Sequence, residues 1–328
     1  MWTKHLACAG ACLAAVLATA VRPAVAQDAA AGYPKQPIKL LIGFTAGGGN
    51  DIIGRVVGQK LSERMGQPVV VENKPGAGGS IAAEALARAA PDGYTLLIAP
   101  IGTMIFNPAL FAKLPYDPQK SFAPITILAD YPLYLTVSAE LPVKSVAELV
   151  AWAKANPAKA NYGSTSGVFQ LITEQFKAKT GTAFEHIPFK STAEMITALL
   201  TGQATMAFVD PTPLMGHVKS GKVRVLATSG AKRSPDLPEA PTMAEAGVPG
   251  VAVDAFTALV APFGTPPAIV AKLQAESKAA LASPDVVERF KQLAVYPVGS
   301  SSEELASMVA REIPIWKEVA AKAGIKLD

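Results

Sequence analysis

Residues 43–54 read GFTAGGGNDIIG and decide the fold. They follow the apolar run IKLLI (38–42) and lead into DIIGRVVGQKLSERMG (51–66). In the second stretch Ile52, Val56, Leu61 and Met65 recur near helical spacing, and Gly66 supplies a stop. A strand, a glycine turn and an amphipathic helix form the first half of a βαβ unit. The pattern repeats outward. PVVVEN (68–73) and YTLLIA (94–99) read as strands, and SIAAEALARAAPDG (80–93) reads as an alanine-rich helix stopped by Pro91. The first hundred residues therefore spell β-α-β-α-β.

A second series starts beyond the proline-rich LPYDPQKSFAP (114–124), with the extended run YPLYLTV (131–137). A helix over 145–157 opens on Ser145 and Glu148, three apart as in a capping box. Strands are expected at Tyr162 and over 184–189, 204–209 and 222–229, with helices over 168–180, 191–202 and 212–220 between them. A long extended segment, VAVDAFTALVAP (251–262), precedes helices over 266–282, 284–293 and 302–323. Short strands alternating with helices predict an α/β protein whose sheets are covered by helices. Two extended segments bracket the middle series and read as paired hinge strands. The division expected is a discontinuous first lobe, 27–134 with 258–328, around a second lobe at 135–257.

Residues 1–26 combine a basic start at Lys4, an apolar run and Ala24-Val25-Ala26, the pattern of a secretory signal peptide. The apolar run is shorter than the roughly 20 residues that a bilayer span needs, so export to the periplasm is expected. Both cysteines, Cys8 and Cys12, lie in this leader, and the mature chain would carry no disulfide or thiolate site. Losing Lys4 and Arg22 and no acid leaves 28 basic against 26 acidic residues. That balance gives no electrostatic reason to invoke nucleic acid or a membrane surface. Only His186 and His217 remain of the histidines, far apart in sequence, so no metal-ligand spacing exists and no cofactor or metal is expected.

The glycine turn fits neither nucleotide motif. A phosphate loop needs Gly-Lys-Ser/Thr opening the helix, whereas Asn50-Asp51 follows Gly49. A dinucleotide fingerprint over Gly47 and Gly49 meets Ile52 in place of its third glycine, and GAGGSI (76–81) meets Ile81. Two readings stay open: a tight turn with Asp51 capping the helix, or a backbone cup whose free N–H groups attract an anion. Further small-polar loops at strand ends, PIGT (100–103) and YGSTSGVF (162–169), favour the cup, because ligands of open α/β sheets sit outside the strands' carboxyl ends. Ser164, Thr165 and Ser166 offer hydroxyls and amides to a carboxylate, or cap their helix. The loop is no nucleophile elbow, since Thr165 holds the central place between Gly163 and Gly167. Asp210, in FVDPTP, could accept a ligand amine or hydroxyl, orient cleft water, or cap the helix after Pro211. Lys190 could meet a ligand carboxylate or stand in solvent, and His186 and His217 read as structural or surface residues.

The stretches YPKQPIKLLIGFTAGGGNDIIGRVVGQKLSERMGQPVVVENKPGAGGSIAAEALARAAPDGYTLL, NPALFAKLPYDPQKSFAPI, KSGKVRVLATSGAKRSPDLPEAPTMAEAG and APFGTPPAIVAKL resemble the Bug family, periplasmic receptors of tripartite tricarboxylate transporters. The resemblance runs from Tyr33 to the end. It implies a two-lobed, type II periplasmic-binding-protein fold that closes on a small organic acid, carries out no reaction, and delivers the ligand to membrane transporter subunits. Carried over by position, it implies ligand contacts at Phe44, Thr45, Ala46, Gly48, Asn50, Asp51, Gly102 and Thr103 from the first lobe, and at Ser164, Thr165, Ser166 and Asp210 from the second. This chain departs from the family pattern in its second lobe. YGSTSGVFQLITEQF is about two residues shorter than the usual form, with Val168-Phe169 where polar residues are common, and FVDPTPLMGHV replaces FDNLPSALPHI. A shorter, more apolar wall including Phe169 implies room for an aromatic or bulky carboxylate. A subunit that senses the ligand for a membrane kinase would show the same cleft. An exported α/β enzyme would need a base beside a nucleophile, which the sequence does not offer.

Overall fold

The computed structural model describes residues 31–326, so the leader expected at 1–26 lies outside the described residues. Its first sheet is built on β1 (Ile38–Ile42), parallel to both β2 (Val69–Asn73) and β3 (Thr95–Pro100). Four of the five β1 side chains are buried, as suits a strand covered on both faces. Helix α1 (Gly49–Met65) lies close on this sheet because Gly54 faces it: a Cβ there would come within 2.8 Å of Ile42 and 3.0 Å of Ile98. The helix ends at Gly66, whose left-handed backbone (φ 68°) caps it. Helix α2 (Ser80–Ala87) covers the next crossover. After β3 the chain enters a π-helical segment, Gly102–Phe106, continued by α3 (Asn107–Leu110).

The chain then runs through β4 (Phe122–Pro132), crosses at Leu133, and enters β5 (Tyr134–Ser138) of a second sheet. That sheet also holds β6 (Asn161–Ser164), β7 (Glu185–Pro188), β8 (Met206–Val209) and β9 (Val223–Thr228), in the order β7-β6-β8-β5-β9. Between these strands run α4 (Val146–Ala155), α5 (Gly167–Thr180), α6 (Thr192–Leu200) and α7 (Pro211–Lys219). β10 (Asp254–Pro262) brings the chain back and pairs antiparallel with both β3 and β4. The first sheet is completed by β11 (Tyr296–Pro297), giving the order β11-β4-β10-β3-β1-β2. Helices α8 (Pro267–Leu281), α9 (Pro284–Gln292) and α10 (Ser302–Ala323) close the chain, with α8 and α10 packed against β4.

Two differences from the sequence reading have physical causes. β4 reaches back to Phe122, where the sequence reading starts a strand only at 131, because Pro124 interrupts the donor pattern at the start of an otherwise β-rich run. The whole of β10 pairs within the first sheet, so residues 254–257 lie there rather than with 135–257. The second crossing is the irregular segment 229–253. The two crossings are fastened at one residue: the buried Ser229 Oγ accepts from the Leu133 N–H (2.8 Å) and donates to the Val253 carbonyl (2.6 Å).

Candidate functional site

Between the two sheets lies a cleft of about 620 Å³, its solvent mouth included. Helix N-termini converge on it. Gly48, Gly49 and Asn50 open α1, Gly102 opens the π-helical segment, and Ser166, Ser191 and Asp210 stand at the N-cap positions of α5, α6 and α7, where only Ser191 makes a side-chain cap bond; all of them line the cavity. The first N–H groups of a helix have no intrahelical acceptor and carry its positive dipole end. Phe44, Ile101, Tyr131, Leu133, Val168 and Phe169 supply the apolar remainder of the wall.

Each of the three consecutive glycines has its own reason. Gly47 is left-handed (φ 81°), a conformation that side chains disfavour, and its N–H donates to Asp51 Oδ2 (2.9 Å). Gly48 is the extended N-cap residue of α1. Gly49 is a meeting point of the lobes: a Cβ there would lie 3.4 Å from Thr212 Oγ1 and 3.5 Å from Asp210 Oδ2. Gly102 is another, with Val168 Cγ2 only 3.1 Å from the place of its missing Cβ.

Asn50 is oriented by a buried relay. Thr257 Oγ1 donates to Asn50 Oδ1 (2.8 Å) and lies 3.1 Å from the Tyr131 hydroxyl, so Tyr131 donates in turn to Thr257. The Asn50 NH₂ group finds no protein acceptor among the described residues and remains a donor on the cavity wall. Burial, with the nearby charge of Asp210, pushes the Tyr131 hydroxyl far above its ordinary pKa, so it stays a neutral donor.

Of the residues singled out in the sequence, Phe44, Thr45, Gly48, Asn50, Gly102, Thr165, Ser166, Phe169 and Asp210 line the cavity together. Four do not line it. Ala46 is exposed on the turn. Asp51 is turned away, taking bonds from Gly47, Arg55 Nε (2.9 Å) and Asn73 Nδ2 (2.8 Å). Burial raises its pKa, but these donors outweigh burial and hold the carboxyl below its usual range. Thr103 is buried within the first lobe, its carbonyl accepting from the Tyr116 hydroxyl (2.9 Å). Ser164 is also buried, and its hydroxyl is taken by His186 Nε2 at 2.7 Å. His186 stacks on Tyr162 (4.9 Å between ring centroids), and burial pushes its pKa below the usual value. Neither member of this Ser–His pair lines the cavity.

The cavity also takes in residues that the sequence reading does not assign as contacts: Tyr131 and Leu133 from the first crossing, and Ser191 and Thr192 beside Lys190. Ser191 and Glu194 form a Ser-x-x-Glu helix start shortly after β7, the same signal as at Ser145 and Glu148. Nothing local marks Tyr131.

The profile of the tripartite tricarboxylate transporter family receptors matches residues 53–325. The chain belongs to that receptor family. It is 34% identical over 301 residues to Protein BugT of Bordetella pertussis, covering 90% of this chain and 91% of BugT. Among solved structures, an R. palustris protein with adipate is 34% identical with a TM-score of 0.86, over 90% of this chain and 99% of that one. MatC from Rhodopseudomonas palustris with bound malate is 32% identical with a TM-score of 0.83, over 88% and 99%. As a member of this family the receptor has the two-lobed binding-protein fold described above, and among the described residues no helix is long and apolar enough to cross a membrane.

Proposed function

We propose that this receptor captures a small organic carboxylate with an apolar body between its lobes, in the periplasm, and presents it to the membrane subunits of a tripartite transporter. The convergence of helix N-termini on a cavity otherwise walled by Phe44, Tyr131, Val168 and Phe169 carries the reading. N–H groups at helix starts bind an anion with no cationic side chain in contact, and the aromatic and aliphatic walls suit a ring or a methylene chain. The adipate and malate held by two relatives of this fold support the carboxylate class. The contacts belong to the nine sequence-singled residues at the cavity, with Gly49, Tyr131, Ser191 and Thr192. No reaction is assigned, since the Ser–His pair described above does not line the cavity. Closure takes place about the crossings at Leu133 and 229–253, because contacts from both lobes are available only when the cleft is shut.

Thermal-shift screening with adipate, malate, citrate, benzoate and phthalate tests the reading. A ligand at a hundred times its Kd stabilises by about 2.7 kcal/mol, so adipate, benzoate or phthalate should raise Tm measurably. Stabilisation by citrate alone would overturn the apolar-body assignment, and no response to any carboxylate would overturn the class. Native mass spectrometry of protein purified from its host would identify a retained ligand directly.

A further inference from the structure

Asp210 is a carboxyl group that the protein leaves without a partner. It is 8% exposed and lines the cavity, yet among the described residues its side chain makes no hydrogen bond or ion pair. An N-cap aspartate ordinarily accepts from the N–H of the second or third helical residue; here Pro213 at the third position has none, and the carboxyl takes no bond from Thr212 at the second. The carboxyl therefore does not cap its helix and faces Gly49 of the other lobe, with its Oδ2 3.5 Å from where a Cβ on Gly49 would stand.

The neighbouring elements do not neutralise it. On α1, Asp51 and Arg55 are bonded to each other and Asp51 also to Asn73. On β4, the Tyr131 hydroxyl is committed to Thr257. On α6, the Glu194 carboxylate accepts from the Lys190 backbone N–H, and the Glu194 N–H donates to Ser191 Oγ. Lys190 is the one cationic side chain on the cavity wall among the described residues, and it is solvent-exposed. On α7 itself, His217 and Lys219 stand at the opposite end of the helix. Thr212 Oγ1, beside Gly49, is buried with no acceptor or donor of its own.

A second carboxylate entering this closed cavity would face a resident one, and two like charges cannot both persist out of water. The acid form removes the conflict and adds a donor, because an O–H to carboxylate bond is short and about twice as strong as a neutral one. Building on the carboxylate reading above, we propose that Asp210 enters the complex as the neutral acid and donates a hydrogen bond to the ligand carboxylate, so that each captured anion brings one proton with it. The proton comes from solvent and returns there when the cleft reopens and Asp210 is hydrated. Burial alone pushes the Asp210 carboxyl up to about 7. The arrangement selects anions without an amino group, since an ammonium would instead require Asp210 ionised.

Isothermal titration of the whole receptor with adipate, malate and benzoate tests this at about pH 6.5, 7 and 8.5. Saturable binding of at least one probe at pH 6.5 is the outcome that the carboxylate reading requires; if none binds, that reading fails and the proposal falls with it. With a binding probe, one proton taken up per ligand weakens affinity up to tenfold per pH unit, so Kd should rise roughly 10- to 30-fold between pH 7 and 8.5. Titrations at pH 8.5 in two buffers of different ionisation enthalpy should report uptake close to one proton. Asp210→Asn keeps a donor and cannot ionise, so its affinity should be flat with pH and exceed the wild type's at 8.5. A wild-type Kd flat across this range, with no proton uptake, would overturn the proposal. So would an aminodicarboxylate probe such as glutamate binding more tightly as pH rises, the mark of an ionised Asp210 pairing with an ammonium.

Discussion

Replacing Ser229 with alanine should destabilise the receptor far more than the loss of one small hydroxyl suggests. The side chain is fully buried at the place where both inter-sheet crossings touch. Its Oγ accepts from the Leu133 N–H at 2.8 Å and donates to the Val253 carbonyl at 2.6 Å, while its own backbone pairs with the same two residues at 2.8 and 3.0 Å. Alanine keeps the backbone pairs and orphans one buried N–H and one buried C=O. Each such group costs about 1–3 kcal/mol when left unsatisfied, so the expected loss is roughly 2–5 kcal/mol. The exposed Ser220, whose hydroxyl donates to the His217 carbonyl at 3.2 Å, provides the comparison. Its alanine variant should stay within about 0.5 kcal/mol of wild type, because water replaces the partner. Urea unfolding followed by far-UV circular dichroism reads both, and is more discriminating than Tm in a chain of this size, where each kcal/mol moves Tm only slightly. A Ser229→Ala variant indistinguishable from wild type would refute the claim that the crossings are fastened through this hydroxyl.

Two further outcomes follow from the cleft and its first loop. Gly102→Val places a Cβ where Val168 Cγ2 is already 3.1 Å away, across the cleft; the wedge should hold the lobes apart and weaken binding of a carboxylate probe at least tenfold while small-angle scattering shows a folded, expanded receptor. Unchanged affinity there would mean that the lobes do not need this contact to shut. Asp51→Asn removes the charge that Arg55, Gly47 and Asn73 surround, and should cost about 1–3 kcal/mol near neutral pH. Because folding lowers the Asp51 pKa, its stabilisation is present above the ordinary carboxylate value and disappears as pH falls through the lowered one. The gap between wild type and variant, measured by urea unfolding, should therefore narrow progressively as pH falls below the ordinary carboxylate range; a gap that does not narrow would show that the charge is not what stabilises the loop.

The local signals in the sequence are legible where neighbours in the chain cause them. Period-2 and helical patterns place β1, α1 and β3, Gly66 ends its helix, and the glycine loop opens α1 as its residues imply. The start of β4 is hidden because Pro124 reads as a breaker, although the antiparallel partner β10 can still pair around it. Ser164 illustrates the limit at the site. As one hydroxyl of a Ser-Thr-Ser loop it is equivalent to Ser166 in sequence, but Ser166 lines the cavity and Ser164 is bound by His186, 22 residues away.

By itself the sequence determined the α/β class, the order of the elements, and the glycine and serine loops at helix starts. The tertiary structure alone decided which of those loops face one another. Tyr131 reaches the site through Thr257 and Asn50, and Gly49 meets Asp210 across the cleft, because two sheets are fastened at Leu133, Ser229 and Val253. Secondary structure arises from contacts a few residues apart, which a sequence records as pattern; a cavity arises from the relative placement of two sheets, which it records only in long-range contacts that no local pattern reveals.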